Sequence, residues 1–225
     1  MAKKKTWELM TEKEKYLYII CKNHSGKMEG MWSLSTSVLR NTLCIAHRMI
    51  KGSICEHCYA HQMASYRKSQ AVKLDRATEF LTSHIITYAD IPIINAQIFR
   101  LEAFGDLNNG IQVVNFFNFA EKNGGTVFTL WTKNPHLIKE AMATYGIKKP
   151  SNLIIIVSSL FINYELNLEK VQATYPFVDK VFTVYDKAFI AEKGIQINCG
   201  ARHCFTCRKC YTLNNGIDYL REIKK

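Results

Sequence analysis

The sequence has no apolar run approaching the ~20 residues a membrane-spanning helix needs. Its longest candidate, Leu153 to Val157, has the length of a strand. Behind the basic start Met1-Ala-Lys-Lys-Lys-Thr-Trp7 there is no apolar h-region, so no secretory signal is expected and the protein is read as cytoplasmic, with no membrane partner. Phosphate-cradling loops are missing too. Gly124-Gly125 has no following Lys-Ser/Thr and runs into a strand instead of a helix. No G-x-G-x-x-G follows the first strand of the β-rich half, which counts against a dinucleotide site. Acidic side chains are scarce, with 19 Asp+Glu against 30 Lys+Arg, for a formal charge of +11.

That shortage is uneven. Residues 1–76 carry +8, residues 77–186 carry −2, and residues 187–225 carry +5. A basic excess at both ends fits a nucleic-acid footprint, with Tyr59, Tyr66 and Tyr211 as exposed aromatics. It fits equally well as the charge that balances thiolates and the anionic group they hold.

Cysteine is abundant, and it is sorted. Of eight cysteines, four fall in Cys199-x4-Cys204-x2-Cys207-x2-Cys210, and three more are Cys44, Cys55 and Cys58. Cys21 stands alone and is read as a small buried hydrophobe. In a reducing compartment such grouping argues for metal or redox chemistry over a disulfide framework. Overlapping C-x2-C steps at 204, 207 and 210 suit an iron–sulfur cluster with Cys199 as fourth ligand. Four thiolates around zinc fit by number, but structural zinc usually takes two separated C-x2-C pairs. The upstream three thiolates leave one ligand position open. Both sets could instead share one cluster or one larger cluster. His47, His57, His61 and His203 are near enough in sequence to substitute as ligands.

The remaining pattern places these sets on a fold. A helix is expected over 11–22, a strand over 31–38, a loop over 41–53, and helices from Tyr59 to Lys68 and over 72–84. Apolar, β-rich runs follow at 96–103, 126–132, 153–158 and 180–185, with a shorter one at 195–198. Helical stretches lie between them at 108–122, 135–145, 165–175 and 187–193. The run starts recur at the length of a βα unit, which means a parallel sheet with right-handed crossovers. The expectation is one domain: a helical and loop region over 1–90, βα units over 91–198, and a cysteine segment over 199–225. The architecture expected is a partial (β/α) TIM-type barrel of five or six parallel strands. Its polar strand ends, Arg100 to Asp106, Trp131 to Pro135, Ser158-Ser159 and Tyr185-Asp186, would face the ligand. Asn134-Pro135 also reads as a helix N-cap with Pro at N1.

Cys44…Cys55-x2-Cys58-Tyr59-Ala60, Tyr66 and Arg76, Arg100 with Gly105-Asp106, and Phe128-Thr-Leu-Trp-Thr132-Lys133-Asn-Pro135 together resemble a phage family of cysteine-rich proteins, gene product 88, and related radical-SAM-like phage proteins. The resemblance covers roughly residues 40–135, and the run 199–210 extends it. It implies a partial barrel binding a [4Fe-4S] cluster, with S-adenosylmethionine as cofactor and an external electron donor. Glu102, Asp106 and Lys133 then fall at the cofactor-contacting strand ends. The standard C-x3-C-x2-C spacing is replaced here by ten residues between Cys44 and Cys55.

Overall fold

A computed structural model describes residues 5–224. The elements in chain order are α1 (Glu12–Ile19), β1 (Cys21–Lys22), β2 (Trp32–Leu34), α2 (Thr42–Arg48), α3 (Tyr59–Tyr66), α4 (Lys68–Ser83), β3 (Ile98–Leu101), α5 (Gly110–Lys122), β4 (Val127–Thr132), α6 (Pro135–Tyr145), β5 (Leu153–Ser158), α7 (Leu168–Thr174), β6 (Lys180–Tyr185), α8 (Lys187–Lys193), α9 (Cys204–Cys207) and β7 (Tyr219–Ile223).

The seven strands form one sheet in sequential order, β1 to β7. Only β1 and β2 are antiparallel; every later pair is parallel. Sequential order has no switch point, which separates this sheet from the doubly wound kind. The sheet is open, because β1 and β7 are not hydrogen-bonded to each other. The expected barrel is therefore reduced to a mixed α/β sheet.

The strands alternate strictly between two buried faces. Phe99, Leu101, Phe128, Leu130, Leu153, Ile155 and Val181 join the main core with Phe116, Phe119 and Tyr16 from the helices. Three rings meet at its centre: Phe99, Phe119 and Phe128 lie with centroids 5.2 Å apart in each pair. Each such contact adds about 0.5–1.5 kcal/mol to the burial itself.

The opposite face holds Met31, Ile98, Val127, Ile154, Ile156, Phe182 and Leu220, and the cysteine segment packs on it through Cys204, Phe205, Cys210 and Tyr211. The turn between β1 and β2 reaches across to the far edge of the sheet. Lys27 Nζ lies 2.6 Å from Glu222 Oε1 on β7, and the Cys204 N–H donates to Lys27 O.

Most element boundaries agree with the expectations, and those at 153–158, 180–185, 135–145 and 187–193 coincide with β5, β6, α6 and α8. Three differ. The run at 195–198 is loop, and the last strand is β7 at Tyr219–Ile223. Its Tyr-Leu-Arg-Glu-Ile pattern buries one residue fully, as suits an edge strand. The loop expected over 41–53 contains α2, because the Asn41 side chain accepts from Cys44 N–H and starts a helix there. Cys21 is partly exposed in β1, with its thiol donating to Ile19 O at 3.7 Å, instead of buried.

Candidate functional site

The upstream cysteines gather at the C-terminal ends of β2, β3 and β4. Cys44 lies in the first turn of α2, and Cys58 is the N-cap of α3. Cys44 and Cys58 pack against Val38, Ala60 and Ala64. Asn41 ties Cys44 to the loop after β3: its amide donates to Asp106 O at 2.7 Å and to Leu107 O at 3.2 Å, and its oxygen accepts from Cys44 N–H at 3.0 Å. The thiol of Cys44 is held well above the ordinary range. Burial is the main cause, followed by the negative fields of Asp106, Glu102 and Cys55, while Lys133 pulls the other way. Cys55 is also raised by burial, again with Lys133 opposing. His47 is lowered by burial and feels both Asp106 and Lys133.

Glu102 and Asp106 are buried beside this set, at 3% and 5% exposure. Their oxygens are already engaged. Glu102 accepts from Thr36 N–H at 3.2 Å, from Thr36 Oγ1 at 2.9 Å and from the Gln112 amide. Asp106 accepts from Leu107 N–H at 2.8 Å, from Lys133 N–H at 2.8 Å and from the Thr132 hydroxyl. These bonds clasp the loop after β3 to the ends of β2 and β4. Glu102 itself sits at φ +54°, and Gly105 at φ +83° lies against Thr36. The backbone of Lys133 belongs to the clasp, and its ammonium provides the positive field at Cys44 and Cys55. Asn134 does cap α6, accepting from Leu137 N–H at 3.4 Å with Pro135 in the first turn.

The downstream cysteines line one cavity. Cys199, Cys204, Cys207 and Cys210 surround it together with Lys27 and Leu220. Lys27 Nζ is 3.1 Å from Cys199 Sγ. Burial raises all of Cys199, Cys204 and Cys210, the last to about 12, and neighbouring thiols add to the shift while Lys27 and Arg100 oppose it. Below Cys210 lies Lys180, whose side chain is fully buried and donates to Asn215 Oδ1 at 3.1 Å and to Ile217 O.

All eight cysteines are free. Among the described residues, no group of three or more His, Cys, Asp and Glu side chains is drawn in closely enough to hold a single metal ion. The two sets have separate surroundings: Cys44 and Cys58 pack with Val38, Ala60, Ala64 and Phe104, whereas Cys204 and Cys210 pack with Met31, Ile98 and Tyr211. Of the four histidines raised as substitutes, His47 is the one whose titration responds to Asp106 and Lys133; His61 pairs with Arg48 at 2.9 Å. Tyr59 and Tyr66 are exposed, at 59% and 85%, but Tyr211 is buried at 6%, which removes it from the aromatics offered to nucleic acid. Sequence reasoning did not single out Lys27, Asn41 or Lys180. Lys27 and Lys180 reach the cysteines only through tertiary structure. Asn41 carries a local signal, a cap residue placed three before Cys44.

A mixed α/β chain with cysteine sets at two places on one largely parallel sheet is the class defined so far. Residues 3–221 match the family described as gene product 88, a phage family, and the chain belongs to it. No curated protein and no solved structure matches the chain. No helix of the described residues is long and apolar enough to cross a membrane.

Proposed function

We propose that this is an iron–sulfur protein with two centres, one held by Cys44, Cys55 and Cys58 and one by Cys199, Cys204, Cys207 and Cys210. The observation that carries the reading is the sorting of seven free thiols into a three and a four, each set half-buried beside a lysine. Burial raises Cys44, Cys55, Cys199, Cys204 and Cys210, which disfavours their thiolates in the metal-free chain. Several adjacent thiolates become stable only when a multivalent positive centre takes the protons' place. A cluster presents iron at separate corners, so its ligands need not converge on one point as those of a single ion must. A bound [4Fe-4S] cluster would supply one-electron transfer and, at an iron without a protein ligand, a coordination position for a small molecule.

The chain's own residues do the rest. Cys44, Cys55 and Cys58 leave one position open at the strand ends, where ligands bind in parallel βα proteins. Lys133 puts a positive charge at that mouth. Glu102 and Asp106 shape its floor through the clasp; they serve as positioning residues. S-adenosylmethionine and radical chemistry come from the resemblance, and the engaged carboxylates do not by themselves favour them. Separate surroundings favour two centres over one cluster shared by both sets.

The test is anaerobic purification with iron, sulfide and zinc measured on one sample, followed by Cys44→Ala and Cys207→Ala. About eight irons with matching sulfide are expected, and each variant should lose a different EPR feature. Zinc without sulfide, or loss of the same feature in both variants, overturns the reading. Added S-adenosylmethionine that leaves the reduced Cys207→Ala spectrum unchanged removes the radical part alone.

A further inference from the structure

We propose that Arg100 is the counter-charge of the four-cysteine pocket and sets the reduction potential of the centre held there; this rests on reading that pocket as an iron–sulfur site. Arg100 projects from β3 onto the sheet face that carries the cysteine segment, with Ile98 two residues before it packing on the same cluster as Cys204 and Cys210. Its guanidinium lies over the Trp131 ring, 4.4 Å from the centroid. Among the described residues its one hydrogen bond is from Nη1 to Met28 Sδ at 3.8 Å, and Nε is buried with no partner.

The neighbouring cations are already engaged: among those lining the cavity, Arg208 donates to Phe205 O and to Gln97, and Lys209 donates to Asn198 O. Lys27 has Glu222 at 2.6 Å, and Lys180 has Asp218 at 3.8 Å. Arg100 has no carboxylate, and a guanidinium cannot shed its proton. Arg100 is half-buried, its Nε is withdrawn from water without a partner, and the ring face offsets only part of that cost. Neutral thiols would supply nothing further. Four thiolates around a metal centre carry net negative charge and supply the missing partner.

Reduction adds one electron from a low-potential donor to the oxidised centre, with no bond made or broken and no proton required. The centre becomes more negative by one charge, so a fixed cation beside it favours the reduced form. Removing that cation lowers the potential.

The experiment is an anaerobic potentiometric EPR titration with dithionite, following the feature that Cys207→Ala abolishes. Arg100→Met should lower the equilibrium constant for reduction about tenfold, which is 59 mV for one electron, while Arg100→Lys recovers most of the shift. The Cys44-dependent feature should not move. Ser33→Asp is the second route, because Ser33 is the register partner of Arg100 on β2 and a carboxylate there neutralises the guanidinium in place; it should shift the midpoint the same way. Unmoved midpoints in a variant with full iron and sulfide overturn this inference and leave the cluster reading standing. A wild-type protein without iron and sulfide overturns both.

Discussion

Replacing Gly105 by Ala tests whether the clasp around Glu102 and Asp106 holds the upstream site. A Cβ built at Gly105 lies 2.7 Å from Thr36 O, 2.8 Å from Thr36 Oγ1 and 2.9 Å from Glu102 Oε2. One of the three neighbours is backbone, and the other two are buried and already hydrogen-bonded to each other, so none can swing away freely. The left-handed backbone adds about 1–2 kcal/mol for any residue with a Cβ. Overpacking adds about 1–3 kcal/mol. The total is about 2–5 kcal/mol, and at 2–4 °C per kcal/mol for a chain of this length the melting temperature should fall by roughly 4–20 °C. Gly146→Ala is the control. It shares a positive φ of +63° but has nothing within 4 Å of the added Cβ, so it should pay the backbone cost alone. The assay is a thermal melt of metal-free protein under reducing conditions, with iron loading of each site measured in parallel. Gly105→Ala should also weaken loading of the Cys44 site while sparing the Cys199 site. A Gly105→Ala protein no less stable than Gly146→Ala would refute the reasoning.

Asn41→Ala removes a cap and two carbonyl contacts; stability should fall by about 1–3 kcal/mol in urea unfolding, and a loss below about 0.5 kcal/mol would mean that α2 holds Cys44 without it. Glu165 is nudged upward by burial but held below its ordinary range by Arg221 and Tyr185, which donate to its carboxylate. A depressed carboxylate contributes stability that is present above its unfolded pKa and is lost as pH falls through the folded one. Glu165→Gln should therefore be less stable than wild type at neutral pH, with the gap closing on acidification; a gap that stays constant from pH 7 to pH 3 would contradict this.

How far the sequence announced all this differs by element. Strands buried on both faces, such as Leu-Ile-Ile-Ile-Val-Ser at β5, read directly because β-branched side chains fill the four positions from Ile154 to Val157. β7 did not, since Arg221 and Glu222 sit side by side in it and only Leu220 is fully buried. The cysteine spacings disclosed two groups of thiols because spacing is local. The cations around them did not show, because Lys27 and Cys199 are 172 residues apart and meet only when the sheet curls. Glu102 and Asp106 were legible as a polar strand end. Their commitment to Thr36, Gln112 and Thr132 depends on β2 and β4 lying either side, which no local pattern encodes.

The sequential strand order also sets a timetable for synthesis. Most of what frames Cys44, Cys55 and Cys58, from Thr36 to Lys133, has emerged once β4 is made, and the last partners of the loop before Cys55, Leu160 and Phe161, follow directly after β5. The other pocket must wait: Cys199 N–H is pinned to Arg221 O, and Lys27 needs Glu222, both on the strand that follows all four of its cysteines. A ribosome adds the intervening residues over a delay on the order of several seconds. During that interval the upstream set would be open to the proposed cluster while Lys27 still lacks Glu222. The two centres would then be filled in order, the open one first.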